Sequence, residues 1–323
     1  RKVAPALAAG CTIVVKPAEQ TPLCAIEVFN ALHDAGVPAG VANLVTTANP
    51  APIGDEFVEN PAVAKVTFTG SSEVGTKLAS RAAASMKRVS LELGGHAPFI
   101  VFADALPEYA AKGASLVKFL NTGQACISPN RIFVHRGIAD VFLDVLVDRV
   151  AGMRAGNGLA EGVNIGPLVD MQALEKVDRH VTDAVEHGAT LQIGGQRLID
   201  DGLDAGFFYA PTVLSGVTPE MEVYNQETFG PVAPIITFTD DDEVLSLAND
   251  TGYGLAAYVY TQSLGRAMRM FEGLHFGIVG INDINPTAAA APFGGMNQSG
   301  IGREGGREGI AEYLEVKLGG FSI

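Results

Sequence analysis

Two side chains of complementary chemistry, a thiol and a carboxylate, lie in short glycine-containing stretches of this sequence. Cys126 ends the segment Asn121–Cys126, which reads NTGQAC, and Glu92 lies in Leu91–Gly95, which reads LELGG. A thiolate can attack a carbonyl carbon and hold the acyl group, and a carboxylate can activate the water that releases it. The pair therefore indicates covalent acyl transfer, although an inert buried cysteine and a solvated glutamate are compatible with the same residues.

The segments around this pair predict the elements that position it. Apolar residues recur at helical spacing from Tyr109 to Leu120, directly before the thiol segment, and Glu92 lies in a strand-like run. Strands alternate with helices on both sides of the pair, which predicts an α/β fold with parallel sheets and helices on both faces. The predicted strands cover residues 11–17, 41–46, 64–69, 88–93, 98–102 and 131–135, and the predicted helices cover 21–35, 138–153 and most of 168–188.

Composition restricts the class of protein and its partners. The chain has 323 residues, of which 47% are hydrophobic and 18% charged, and this composition excludes a disordered protein. The net charge of −14 argues against nucleic acid or an anionic membrane as the main partner but leaves an anionic substrate possible. Three scattered cysteines favour a reducing, cytoplasmic location, and no histidine pair has metal-ligand spacing, so we predict no metal. We also find no transmembrane span.

The turn Gly70–Gly75 is a candidate phosphate-binding loop, because it joins a predicted strand to a predicted helix. Glycines let the backbone approach a ligand closely, and the first N–H groups of the helix attract an anion. An ordinary strand-to-helix turn is the alternative. A literal Gly-x-Gly-x-x-Gly occurs at Gly300–Gly305, but it follows a turn and no βαβ unit surrounds it, so we reject it as a cofactor loop.

The combination of Glu-Leu-Gly-Gly with a later Gly-Gln-x-Cys resembles the aldehyde dehydrogenase superfamily, and the resemblance extends over nearly the whole chain. Ala291–Gly295 and Gln298–Gly305 resemble its succinate-semialdehyde dehydrogenase-like branch most. The resemblance implies oxidation of an aldehyde to an acid, in which Cys126 forms a thiohemiacetal and then a thioester. Hydride passes to NAD(P), and Glu92 activates the hydrolytic water.

The same resemblance assigns residues to the cofactor. Lys16, Pro17, Ala18 and Glu19 match the adenosine-ribose segment, and Glu19 predicts NAD rather than NADP because a carboxylate repels a 2′-phosphate. The remaining assignments concern the pyrophosphate and the nicotinamide end of the cofactor. They comprise Gly70, Ser71, Gly75, Leu93, Gly94, Glu227 and Phe229.

For the substrate pocket, the resemblance implies Leu120, Ile127 and Phe293. It also implies that Glu304 acts on the site indirectly, without contacting the substrate. The succinate-semialdehyde branch usually carries an arginine six residues before the thiol and a second cysteine two residues after it. This chain has Leu120 and Ser128 there, so the branch's redox-switch disulfide cannot form. A semialdehyde and a longer, less polar aldehyde therefore both remain open.

The resemblance also predicts the domain organisation. We expect residues 1–94 to belong to a partial Rossmann-like cofactor domain and residues 95–294 to a second α/β catalytic domain. Residues 295–323 form a C-terminal return segment, in which Tyr313–Lys317 is a strand that pairs subunits of a homo-oligomer, a dimer or a tetramer.

Against the family, the chain is expected to lack roughly the N-terminal third, including an asparagine that donates to the oxyanion. Losing such a donor typically costs about 10²–10³ in rate. A CoA-acylating relative and a non-catalytic, cofactor-binding derivative are the alternatives. Glu92 speaks against the first, because thiol cleavage of a thioester needs no water-activating base.

Overall fold

A computed structural model describes residues 1–323, which divide into two compact units. The first comprises residues 1–93, 287–294 and 300–323, and the second comprises residues 94–286 and 295–299. The chain thus passes from one to the other directly after the Glu92 segment. The three-part division into residues 1–94, 95–294 and 295–323 stays a prediction.

Twelve strands and eleven α-helices make up the two units. The strands are β1 (Ile13–Val15), β2 (Ala42–Leu44), β3 (Lys65–Thr69), β4 (Arg88–Glu92), β5 (Ala97–Val101), β6 (Pro129–His135), β7 (Thr190–Ile193), β8 (Thr212–Ser215), β9 (Val232–Phe238), β10 (Ala256–Tyr260), β11 (Ile278–Ile281) and β12 (Gly300–Ile301). The helices are α1 (Val3–Ala8), α2 (Leu23–Asp34), α3 (Ala51–Glu59), α4 (Ser72–Ala83), α5 (Pro107–Lys118), α6 (Ala139–Ala151), α7 (Met171–Glu186), α8 (Glu222–Asn225), α9 (Asp241–Asn249), α10 (Leu264–Gly273) and α11 (Gly306–Ala311). Four short 3-10 segments cover Leu120–Gly123, Arg136–Ile138, Asp200–Ala205 and Asn297–Ser299, and the first and third each contain two residues with φ/ψ values outside the right-handed helical region. No helix is both long enough and apolar enough to cross a bilayer.

The first unit contains two small sheets. Strands β1 and β2 form a parallel pair, and β3 lies parallel to β4 in a three-stranded sheet. The third strand, β12, runs antiparallel to β4 and places Gly300 opposite Glu92. The glycine-rich Gly300–Gly305 motif therefore starts as an antiparallel edge strand and not as a strand-to-helix turn.

The second unit is built on a seven-stranded sheet with the order β11-β10-β5-β6-β9-β8-β7. All neighbours are parallel except β7 and β8. Strand β5 is buried along its whole length, as expected for a central parallel strand that helices cover on both faces. The predicted α/β fold class with parallel sheets is confirmed.

The thiol segment of the second unit follows α5 without a regular connection. After α5 ends at Lys118, Asn121 and Thr122 adopt left-handed conformations with φ of 50° and 60°. The β-branched Thr122 is disfavoured there, at a cost of about 1–3 kcal/mol, so the surrounding structure must hold the turn in place. At the other end of the chain no strand forms within 313–317, and pairing of that segment between subunits stays a prediction.

Candidate active site

The Thr122 side chain in the strained turn and the Gln124 side chain just after it bind the segment that carries Cys126 to residues 166–169. The Thr122 hydroxyl donates to the Gly166 carbonyl (3.1 Å) and accepts the Gly166 N–H (3.0 Å). The Gln124 side chain donates to the Pro167 carbonyl (3.1 Å) and accepts the Val169 N–H (2.9 Å). These four bonds fix the direction in which the chain enters the thiol position.

Cys126 itself is partly exposed and forms no disulfide. Hydrogen bonds fix the two residues that follow it. The Tyr258 hydroxyl donates to the Ile127 carbonyl (2.9 Å), and the buried Ser128 hydroxyl donates to the Lys118 carbonyl (3.2 Å). A reactive thiol needs an accessible sulfur on a rigid backbone, and this segment provides both.

Gly95 brings the Glu-Leu-Gly-Gly motif directly against the thiol segment within the second unit. An ideal Cβ on Gly95 would lie 2.0 Å from the carbonyl oxygen of Cys126, and one on Gly94 would lie 2.9 Å from a carboxylate oxygen of Glu227. The Gly95 N–H also donates to Glu227 (2.9 Å). Both glycines are therefore required by close approach of their backbone to Cys126 and Glu227.

Replacing Gly95 by alanine is expected to lower the melting temperature by about 5 °C or more, because the new methyl group meets a backbone carbonyl that has little room to move. Gly158→Ala is the matched control, since an added Cβ there meets nothing within 4 Å. Thermal unfolding followed by circular dichroism compares the two variants. Equal melting temperatures would show that the backbones of Gly95 and Cys126 are not packed as described.

Glu227 and Phe229 lie on the segment that precedes β9. Burial raises the pKa of the Glu227 carboxyl, whereas the Gly95 N–H and the ammonium groups of Lys176 and Lys118 oppose the rise. Phe229 is exposed and has a φ of 55°. The following Gly230 packs so closely on Gly123 that a Cβ on Gly123 would lie 2.1 Å from its carbonyl oxygen. The segment of Glu227 thus contacts both the Gly94–Gly95 turn and the thiol segment.

Glu92 ends β4 in the first unit as a buried carboxyl, only 4% exposed, and its Oε2 atom has no hydrogen-bond partner. Burial raises the pKa of this carboxyl to about 8, and the charge of Glu304 adds to the rise. Lys2, Arg303 and Arg1 act in the opposite direction. A glutamate with this pKa exists in both protonation states near neutral pH, as a general base requires.

The predicted pocket and support residues of the first unit lie close to Glu92. Glu304 forms an ion pair with Lys2, and its backbone exchanges two hydrogen bonds with Phe293 (2.6 and 2.7 Å). The Arg1 guanidinium lies 3.8 Å from the centre of the Phe293 ring. Since the Glu304 charge acts on the Glu92 pKa, these contacts support the prediction that Glu304 acts on the site indirectly.

The predicted phosphate turn is attached to the same strand. The Gly70 N–H donates to the Glu92 carbonyl (3.1 Å), and the Ser71 hydroxyl caps α4 by accepting the Val74 N–H (3.3 Å). A Cβ on Gly75 would lie 2.3 Å from a methyl carbon of Leu93, so this glycine lets α4 approach the strand. The turn therefore presents a capped helix N-terminus of the kind that binds phosphate.

The predicted adenosine-ribose residues border a groove of about 490 Å³ in the first unit. Its lining combines the loop after β1 with the loop after β2, at the carboxyl ends of neighbouring parallel strands, where nucleotides bind in α/β proteins. The lining residues are Pro17, Ala18, Glu19, Gln20, Pro22, Thr46, Thr47 and Ala48. Lys16 forms an ion pair with Glu19, and its hydrogen bond is the main cause that lowers the pKa of that carboxyl. The residues present fit the ribose end of a dinucleotide.

The predicted site residues are thus shared between the two units, and their roles stay predictions. The first unit holds Lys16, Pro17, Ala18, Glu19, Gly70, Ser71, Gly75, Glu92, Leu93, Phe293 and Glu304. The second holds Gly94, Leu120, Cys126, Ile127, Glu227 and Phe229. Sequence reasoning missed Lys118, although a lysine four residues after Ala114 on an apolar helical stripe was a signal. No group of three histidine, cysteine, aspartate or glutamate side chains could hold a metal ion.

Comparisons with known proteins agree on one family. The model of the aldehyde dehydrogenase family matches residues 1–318. The chain is 49% identical over 323 residues to a 3-sulfolactaldehyde dehydrogenase of Pseudomonas putida, covering 99% of this chain and 65% of the relative. It is 48% identical over 317 residues to the succinate-semialdehyde dehydrogenase of Escherichia coli K12 that is named for NADP(+), covering 98% and 65%.

A solved structure extends the likeness to the fold. A variant of betaine aldehyde dehydrogenase from Staphylococcus aureus, in complex with NAD+, superimposes with a TM-score of 0.94 at 40% identity, covering 98% of this chain and 64% of that one. The chain therefore spans about 65% of the length of the curated relatives that it matches.

Proposed function

Because this chain belongs to the aldehyde dehydrogenase family, we propose that it oxidises an aldehyde to a carboxylic acid with NAD(P) through a covalent intermediate on Cys126. The observation that carries the hydrolytic form of this reaction is the Glu92 carboxyl, which is buried, lacks a partner on Oε2 and has a pKa of about 8. Such a carboxyl takes a proton from water near neutral pH. Cleavage of the thioester by CoA would need no base that activates water, so Glu92 would then have no catalytic role.

The steps follow from the chemistry of these residues. The Cys126 thiolate adds to the aldehyde carbon and forms a carbon–sulfur bond, while the backbone N–H of Cys126 supports the negative oxygen. NAD(P), with Lys16 and Glu19 holding its adenosine ribose, would supply the acceptor for the hydride that this carbon loses, and Cys126 would keep the acyl group as a thioester. Glu92 then removes a proton from water, the hydroxide adds to the thioester, and the carbon–sulfur bond breaks to release the acid and the thiolate.

We also propose that this chain prefers NAD over NADP. The family uses NAD(P), but the E. coli relative is named for NADP(+) and the S. aureus structure contains NAD+. In this chain Glu19 borders the groove, and its lowered pKa keeps it anionic at neutral pH. An anion at this place accepts hydrogen bonds from ribose hydroxyls and repels a 2′-phosphate.

Glu19→Gln is expected to raise the ratio of kcat/KM for NADP+ to that for NAD+ by about 5- to 10-fold, because it removes the repulsion without changing side-chain volume. Glu27→Gln is the charge-matched control, since Glu27 is exposed on α2 and outside the groove. Steady-state kinetics with both cofactors measure the ratio. A ratio that changes equally in both variants would exclude Glu19 as the selecting residue.

We propose a semialdehyde as the class of substrate. Two relatives are named for aldehydes that carry a second, anionic group, which favours a semialdehyde here. Leu120 is 54% exposed at the position where the succinate-semialdehyde branch carries an arginine. This chain therefore lacks that carboxylate ligand, and a longer, less polar aldehyde is the competing class.

One experiment tests the proposed function. The chain is mixed with NAD+ or NADP+ and a panel of semialdehydes and aliphatic aldehydes, with and without CoA, and both NADH or NADPH and the acid are followed. We expect equal amounts of reduced cofactor and acid without CoA. Reduced cofactor that forms only when CoA is present would favour an acylating enzyme. Cofactor binding without turnover would favour a non-catalytic derivative.

We also propose a cytoplasmic location and a homo-oligomer, a dimer or a tetramer. The reaction requires Cys126 as a reduced thiol, which a reducing compartment maintains. Leu314, Val316, Leu318 and Phe321 are exposed in a stretch without regular secondary structure, and such exposed apolar side chains favour association. Sedimentation velocity measures the oligomeric state.

A further inference from the structure

Lys118 is a fully buried lysine that forms the end of a chain of hydrogen bonds leading to Glu227. Its ammonium group donates to the Asn130 side-chain oxygen (2.9 Å), and the Asn130 amide donates to the Gly95 carbonyl (3.3 Å). The Gly95 N–H in turn donates to Glu227 (2.9 Å). Lys118 is 0% exposed and Asn130 is 1% exposed, so water does not substitute for these bonds.

The charges around Glu227 come from several elements. Lys118 on α5 and Lys176 on α7 both favour its ionised form. Tyr253 also faces this carboxylate, and His96 faces Lys118. Complete burial lowers the pKa of Lys118 to about 7, and the Glu227 charge acts against this fall. A buried cation without a carboxylate nearby is strongly disfavoured. The charged form of Lys118 at this buried position therefore depends on the charge of Glu227.

We propose that Lys118 is a positioning residue that keeps Glu227 ionised and holds the Gly94–Gly95 turn, so that Glu227 can accept hydrogen bonds from the cofactor's ribose. The role of Glu227 as a ribose acceptor rests on the proposed function, but the coupling between Lys118 and Glu227 does not. Lys118 is also connected to the Cys126 segment in two ways. Its carbonyl accepts the Ser128 hydroxyl, and its ammonium group is linked through Asn130 to Gly95, which contacts the Cys126 carbonyl.

The first test measures the coupling without any cofactor. Glutamates are labelled with ¹³C at the carboxyl carbon, and the Glu227 signal is assigned with Glu227→Gln and titrated by NMR. Lys118→Met removes the charge at similar volume, which is often tolerated, and Lys118→Gln retains a donor for Asn130 should the methionine variant fold poorly. Lys112→Met is the control on the exposed face of α5.

We expect the Glu227 pKa to rise by about one unit in both Lys118 variants, because a nearby cation that favours the carboxylate is lost. It should not change in Lys112→Met. An unchanged Glu227 titration in both Lys118 variants would overturn the proposal, whether or not the chain turns over an aldehyde.

The second test measures the consequence for the cofactor. The affinity for NAD+ is determined at pH 6.5 and 8.5 for Lys118→Met, Glu227→Gln and the double variant. Lys118 is charged below a pKa of about 7, so Lys118→Met should weaken binding about 5-fold or more at pH 6.5 and much less at pH 8.5. The double variant should bind no worse than Glu227→Gln.

Additive losses in the double variant, equal at both pH values, would overturn the proposal and assign Lys118 a packing role alone. A wild-type chain that binds neither NAD+ nor NADP+ would contradict the proposed function, and the carboxyl titration would still decide whether Lys118 and Glu227 are coupled.

Discussion

Cys126→Ser is expected to reduce aldehyde oxidation by about 10⁴-fold or more, which is the largest effect of any substitution proposed for this chain. A serine hydroxyl is a far weaker nucleophile than a thiolate at neutral pH, because the hydroxyl stays protonated there. Both the reduced cofactor and the acid should disappear together, because the carbon–sulfur bond precedes both products.

The control for this variant is Cys24→Ser, which changes an exposed cysteine on α2 and should leave the rate unchanged. Trapping provides a second measurement, since mass spectrometry after an acid quench should find an acyl adduct on Cys126 in the wild-type chain and none in Cys126→Ser. Reduced cofactor that forms in the serine variant at the wild-type rate would exclude covalent catalysis through Cys126.

Much of the fold was predictable because burial leaves a pattern in the sequence. Strand β5 is a short apolar run, as expected for a strand covered on both faces, and the amphipathic stretch 168–188 contains α7 between the cap residue Asp170 and Gly188. The N-cap at Ser71 follows equally from local chemistry. These features depend on neighbours in the chain, so one sequence is enough to find them.

Contacts between distant segments were not predictable in this way. Nothing local indicates that Gly300 pairs with Glu92 in the sheet, or that Asn130 joins Lys118 to Gly95. The left-handed Thr122 contradicts its own β-branched preference, because hydrogen bonds to Gly166 from another segment hold it there. The site residues were found through their motifs, whereas the burial that sets the pKa of Glu92 required the folded chain.

Glu92→Gln is expected to slow acid formation by about 10²–10⁴-fold while it spares hydride transfer, because an amide cannot take a proton from water. The variant should therefore release about one reduced cofactor per chain in a rapid burst and then accumulate the thioester on Cys126. Stopped-flow absorbance at 340 nm separates the burst from the slow steady state. A slow phase as fast as that of the wild type would assign the hydrolytic base to another residue.

The rate of acid formation should depend on pH through the ionisation of Glu92. Glu92 acts as a base only when ionised, so wild-type acid formation should rise with pH and reach half its plateau near pH 8, the pKa of its carboxyl. Glu92→Gln should abolish the rise. Glu304→Gln is the informative companion, because removing the Glu304 charge lowers the Glu92 pKa and should move the midpoint to lower pH without abolishing it.

Stability should change in the opposite direction from activity. The folded-state pKa of Glu92 lies above its ordinary value of 4.5, so the unfolded chain releases this proton first as pH rises. The free energy of unfolding therefore falls between about pH 4.5 and pH 8, and Glu92→Gln should remove that fall. A variant that is nearly inactive and yet melts at a higher temperature than the wild type at pH 8 would show that the buried carboxyl is kept at the expense of stability. A variant that melts lower at pH 8 would mean that Glu92 is held by favourable contacts, and that its pKa is not raised.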